Sequence, residues 1–150
     1  MKPFWNDKEA SQCNQDPLKL RVYTSRLLGR ESSLVLHGGG NTSVKATVKD
    51  FFGTALQVLY IKASGWDLAT IKEEGFAAVK LDELKWMATL ARLSDSDMVL
   101  GQRAAMLNPY APNPSVEAIL HAIIPYKFVD HSHADAIAAI TNTNLKIRAL

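Results

Sequence analysis

The segment Asp130-His131-Ser132-His133 sets two imidazoles two residues apart. On a strand, residues i and i+2 share a face. His131 and His133 would then project together, as two ligands of one ion must. Neutral imidazole suits Zn2+ and other first-row divalent metals. The same spacing also serves an ordinary surface or core pair. Glu117 lies two residues past Ser115 and is the only carboxylate between Asp97 and Asp130. On a helix it faces the same side as His121. A lone acid in that apolar stretch is either a first-turn glutamate favoured by the helix dipole, or a metal ligand or general base.

Backbone donors form a third group. Gly38-Gly39-Gly40-Asn41-Thr42-Ser43 is a glycine-rich turn with amide and hydroxyl donors, Ser64-Gly65 closes an apolar run, and Ser115 opens a helical one. Free N–H groups and a helix dipole attract anions, so three such sites converging would hold a phosphate. Taken singly, they are two turns and a cap. No Gly-Lys-Ser/Thr follows the glycines, which excludes a Walker A loop, and the dinucleotide fingerprint is absent too. His37 borders the glycine run. Lys45 and Lys62 alternate with apolar residues, either as solvated faces or as partners of an anion. His121 reads as a hydrogen-bonded core histidine rather than a ligand. Trp5, Trp66 and Trp86 read as packing residues.

The elements that must position these groups follow from periodicity and breakers. Residues 1–15 are polar and mixed, and read as a loosely attached lead-in. Asp16-Pro17 starts a helix, with Asp as N-cap and Pro at the first position. Leu18, Val22, Ser25 and Leu28 share one of its faces, and Gly29 supplies a stop. The three glycines forbid a regular element. The β-branched run after Asn41 reads as a strand, and a turn around Phe52-Gly53 leads into a second strand, ALQVLYIKAS, so the pair forms a hairpin. Residues 66–72 read as one helical turn and GFAAVKL as a short strand. LDELKWMATLARL has helical spacing, and Ser94 caps a further helix to about Leu107. NPYAPNP has three prolines in seven residues and must be a loop. Ser115 caps a helix through Ile124, ended by Pro125. KFVDHSHA reads as a strand and ADAIAAITNTN as a helix. The final LKIRAL carries no stop signal, so the chain is expected to end inside an element. Strands alternating with helices give a layered α/β domain.

Composition sets the outer bounds. A chain of 150 residues, 47 % apolar and 21 % charged, suits one globular domain. The expected division is a lead-in over 1–15 and a single domain over 16–150. A net charge of +2 from 17 basic and 15 acidic residues, without a basic run, argues against nucleic acid as partner. The single cysteine, Cys13, cannot form an internal disulfide. The start MKPFWNDKEA lacks the apolar region of a secretory signal. The longest uncharged apolar run, AILHAIIP, falls far short of the ~18–20 residues that span a bilayer. A cytoplasmic setting without a membrane partner is the expectation.

The order GGGNTSVK, YIKASGWDL, PSVEAILHA, VDHSHADAI resembles the class II aldolase/adducin family. That family comprises zinc-dependent sugar-phosphate aldolases and related pentulose-phosphate epimerases. The wording from SRLLGRESSLVLHGGGNTSVK through HAIIPYKFVDHSHADAI looks most like the aldolase portion of bifunctional rhamnulose-1-phosphate aldolase/alcohol dehydrogenase proteins. The likeness runs from about Leu18 to the end. It implies a three-layer α/β/α domain with a central, mostly antiparallel sheet, and a homo-oligomer, a tetramer. The family's Gly-Asn-x-Ser turn falls on Gly40, Asn41 and Ser43, which would put Asn41 on a substrate phosphate. Ser64, Gly65 and Ser115 match further phosphate contacts. Val116 stands where the family has a second hydroxyl. Glu117 matches the catalytic acid/base, and His131 and His133 match two ligands of Zn2+ or another divalent metal. The family's third zinc-binding histidine lies further downstream. No histidine follows His133, so the resemblance implies a C-terminally truncated chain: either a piece of a longer protein, or a form that does not hold zinc in the usual way.

The implied activity is retro-aldol cleavage of a ketose 1-phosphate of the rhamnulose or fuculose kind. The alternatives are 4-epimerisation of a pentulose phosphate, and a non-catalytic, adducin-like binding or assembly module.

Overall fold

The computed structural model describes residues 4–143. Residues 144–150, which include the LKIRAL stretch, lie outside the described residues. Helix α1 (Asp7–Ser11) and helix α2 (Pro17–Gly29) lead into strands β1 (Asn41–Lys49) and β2 (Ala55–Lys62). A 3₁₀ turn (Glu73–Gly75), strand β3 (Phe76–Lys80) and helices α3 (Leu81–Ala88) and α4 (Asp95–Ala104) follow. Helix α5 (Ala118–Ile123), strand β4 (Phe128–His131) and helix α6 (Asp135–Thr141) complete the order. Among the described residues no helix is long and apolar enough to cross a membrane.

The four strands form one antiparallel sheet in the order β3-β2-β1-β4. Alternation sends neighbouring side chains to opposite faces. Leu59 and Ile61 of β2 join Ala77 and Val79 of β3 in a core shared with α3 and α5. On the other face Tyr60 and Phe76 meet Val22, Leu68 and Ile71. Helices therefore cover both faces, and the domain is a three-layer α/β/α sandwich around an antiparallel sheet.

Helix α2 starts as its sequence dictates: Asp16 Oδ1 accepts from the backbone N–H of Leu18 at 2.8 Å and of Lys19 at 3.2 Å. Val22 and Ser25 are buried, and so is Arg21, a charged residue on the same face. The lead-in is docked rather than loose. Asn6 caps α1, its backbone N–H donates to Tyr23 Oη at 2.8 Å, Trp5 meets Tyr23 edge to face, and Cys13 is buried.

Several elements end earlier than their periodicity suggests. Helix α3 stops at Ala88, where the Thr89 hydroxyl and N–H both donate to Trp86 O. Helix α4 stops at Ala104 because the chain swings onto the sheet edge: Lys80 N–H donates to Ala105 O, and Leu107 N–H to Ala78 O. Residues 66–72 contain a hydrogen-bonded turn on Asp67 instead of a helix. Ser115 opens a turn, and α5 proper begins at Ala118 with Glu117 at its N-cap position. Strand β1 holds this short helix through Lys45, whose ammonium donates to Ile124 O and Tyr126 O beyond the helix end.

Candidate functional site

The antiparallel register gathers the candidate residues at one end of the sheet. Asn41, at the start of β1, is paired with His131, at the end of β4. Strand β2 ends on the same side, since Ser43 is paired with Ile61. Just past β2, Ala63 bridges to Pro114, Ser64 N–H donates to Asn113 O, and Ser115 N–H donates to Lys62 O. Thus the glycine turn, Ser64-Gly65, Ser115 and the histidine pair all emerge there.

Glu117 sits among the imidazoles. Its Oε2 lies 2.8 Å from His131 Nδ1 and 3.5 Å from His121 Nε2. His121 is 1 % exposed, and its Nδ1 lies 2.8 Å from Ser43 Oγ. Burial pushes the His121 pKa down, and the nearby Glu117 carboxylate opposes that shift only in part. A fully buried imidazole avoids charge because the cation loses its hydration. His121 is the hydrogen-bonded core histidine its sequence context suggests, and it also touches the lone acid.

The strand stops at His131 instead of running through His133, because His133 N–H donates to Leu34 O at 2.8 Å. The two rings nevertheless meet, with centroids 4.8 Å apart and planes at 59°. The glycine run comes up against them. A Cβ at Gly39 would lie 3.2 Å from His133 Nδ1, and one at Gly40 would lie 2.9 Å from His131 O. Among the described residues no group of three or more His, Cys, Asp or Glu is arranged to hold a metal. The two imidazoles come together, and the Glu117 carboxylate meets His131 at Nδ1.

Asn41 and Ser115 are buried, and Ser64 and Gly65 are exposed. Asn41 Oδ1 accepts from Thr42 N–H, and Ser115 Oγ accepts from Glu117 N–H. Val116 projects to solvent.

Two cations complete the surroundings. Lys62 is buried at the end of β2, and its Nζ donates to Gly38 O at 3.2 Å. Desolvation pulls its pKa down, while Glu117 and Asp67 pull it up. Arg21 is buried beneath β1 and β4. Its guanidinium lies 2.8 Å from Asp130 Oδ1, reaches Ser43 O at 3.3 Å and stands over the Phe128 ring. The charge of Arg21 suggests a solvent-facing residue, although its spacing from Leu18 and Ser25 puts it on the inner face of α2. A cleft of ≈ 890 Å³ lined by Tyr23, Arg26 and Lys72 contains none of these residues. Chemistry, not volume, marks the site.

The four-stranded antiparallel sheet with helices on both faces matches the fold of a class II aldolase domain. The family model described as "Class II Aldolase and Adducin N-terminal domain" matches residues 19–150, and the chain belongs to that family. A solved structure of the N-terminal class II aldolase domain of a conserved protein from Thermoplasma acidophilum is similar at a TM-score of 0.87 and 45 % identity. That match covers 97 % of this chain and 66 % of the other. A Bacillus subtilis (strain 168) protein named uncharacterized oxidoreductase YuxG is 41 % identical over 140 residues. The match takes in 93 % of this chain, which spans only 20 % of that relative's length.

Proposed function

We propose that this domain is a metal-dependent aldolase-type lyase that cleaves a ketose 1-phosphate of the rhamnulose or fuculose kind. The observation that carries the reading is Glu117 Oε2 at 2.8 Å from His131 Nδ1, with the His133 ring beside it. The two imidazole rings lie side by side, with centroids 4.8 Å apart. His131 and His133 would hold the ion, Zn2+ or another divalent metal. When bound, it supplies Lewis-acid stabilisation of the negative charge that retro-aldol cleavage leaves on the ketone oxygen.

The chain's own residues do the rest. His131 donates from Nδ1 to Glu117, which leaves Nε2 as the ligating nitrogen. The electron pair of the broken carbon–carbon bond passes to the ketone fragment, and a proton delivered by Glu117 completes it. The other fragment leaves as an aldehyde as its hydroxyl gives its proton to the Glu117 carboxylate, and this is the proton that the ketone fragment receives. Asn41, Ser64, Gly65 and Ser115 anchor the phosphate, remote from the reacting carbons. Lys62 adds charge there: an ammonium has three N–H donors, and Gly38 O takes one. Val116 offers no hydroxyl, so the anchor relies on Lys62 instead. Assembly into a homo-oligomer belongs to the same reading, supported by exposed Leu120 and Ile123 on α5 and exposed Val116 just before it.

Glu117→Gln tests the assignment. Turnover should fall about 10²–10⁴-fold while the urea midpoint is kept, with ketose 1-phosphates and pentulose phosphates assayed side by side. Unchanged turnover would remove Glu117 from the chemistry, and epimer formation without aldehyde release would replace the lyase by an epimerase.

A second reading is a non-catalytic binding or assembly module, favoured by the donor set among the described residues, where no group of three or more His, Cys, Asp or Glu is arranged to hold a metal. Elemental analysis separates them. About one zinc per chain, lost in His131→Ala, supports the enzyme; no zinc supports the module.

A further inference from the structure

Four polar side chains from three elements form a connected line: Ser43 Oγ, the His121 ring, Glu117 Oε2 and His131 Nδ1. Its first two members are buried. A neutral imidazole has one N–H and one acceptor nitrogen, a hydroxyl can donate or accept, and a carboxylate only accepts. These inventories fix the direction of the line. The Nδ1–H tautomer of His121 would turn the Nε2 lone pair towards a carboxylate oxygen 3.5 Å away. The Nε2–H tautomer turns a donor towards it instead. Ser43 Oγ–H must then donate to Nδ1 at 2.8 Å. His131 donates to the same oxygen from the other side. Oε2 therefore faces two N–H groups, and no described residue bonds Oε1.

We propose that Ser43 and His121 are positioning residues: Ser43 selects the Nε2–H tautomer of His121, and His121 with His131 engages Oε2 of Glu117 so that Oε1 handles the proton. The inference rests on the functional reading above and adds to it which atom works and what aims it. The anchor is buried on a central strand of the sheet. Ser43 lies on β1 between Ile61 of β2 and Val129 of β4, and its carbonyl accepts from buried Arg21. Glu117, at the start of a six-residue helix, is thereby referenced to the middle of the sheet.

The tautomer can be read without substrate or metal, by multiple-bond ¹⁵N–¹H correlation on the protein with ¹⁵N-labelled histidine. The expected result is a protonated Nε2 and an unprotonated Nδ1 at His121. Ser43→Ala should move both nitrogens towards the mixed-tautomer position, and Ser43→Thr should restore the wild-type pattern. Glu117→Gln should shift the His121 Nε2 signals, which keeps the test open if Ser43→Ala fails to fold. A protonated Nδ1 in the wild type, or His121 signals indifferent to Glu117→Gln, overturns the proposal. Where turnover is measurable, Ser43→Ala should lower kcat about tenfold with KM unchanged, the size of outer-shell losses elsewhere. A loss in KM alone counts against it. Failure of the lyase reading looks different: the Nε2–H signature persists and no sugar phosphate is cleaved.

Discussion

The β1–β2 hairpin has two ends, built on opposite principles. At the turn end, Asp50 Oδ1 accepts from the N–H groups of Phe52 and Thr54, so the chain satisfies itself within five residues. Phe51 and Phe52 stand almost fully exposed there. At the other end the chain satisfies itself only over long distances. Ser43 meets His121, Arg21 meets Asp130, and Lys62 meets Gly38, and most of these groups are buried. A buried polar group without its partner costs far more than an exposed one. The site end therefore tolerates little change, and the turn end tolerates much.

Matched substitutions at the two ends sharpen this contrast. Gly40 and Gly53 both have positive φ, at +68° and +85°. A Cβ at Gly53 meets open space, whereas one at Gly40 crowds His131 O. Gly40→Ala should cost about 3 kcal/mol, combining left-handed strain with overpacking; Gly53→Ala should cost about 1 kcal/mol, from strain alone. Equal shifts in urea midpoint would show that the glycine turn is not tightly packed on the histidine strand. Next come the two aspartates. Asp130→Ala strands a buried guanidinium and should cost about 2 kcal/mol, less than for a fully buried pair because Asp130 is half-exposed. Asp50→Ala loses two exposed cap bonds and should cost about 1 kcal/mol. A larger loss for Asp50 in chemical denaturation would reverse the comparison. Last, Phe51→Ser and Phe52→Ser should each leave stability within about 0.5 kcal/mol, with no change in the His121 and His131 NMR signals.

The same contrast governs what could be read from residues alone. The hairpin, its turn and the start of α2 were legible because Asp50, Gly53, Asp16 and Pro17 act on their immediate neighbours. The gathering of Glu117 with His131 was legible as two separate signals. Their 2.8 Å contact depends on the pairing of Asn41 with His131, which no local pattern encodes. Periodicity predicts longer helices than α3 and α4, because propensity continues past Ala88 and Ala104 while the chain leaves α4 to bond the edge of β3. The Ser43–His121 bond joins residues 78 apart in sequence. Arg21 was hidden by its charge, which suggests solvent until Asp130 and Ser43 O are seen to meet it.

Strand β1 grips α5 at two points: Ser43 bonds His121 in the helix, and Lys45 bonds the carbonyls beyond its last turn. A helix of six residues has no stability of its own in water. Its amides should therefore escape hydrogen exchange only as long as the central strand does, and α5 and β1 should open as one cooperative unit. The catalytic candidate at the head of that helix inherits the lifetime of the sheet rather than that of a surface turn.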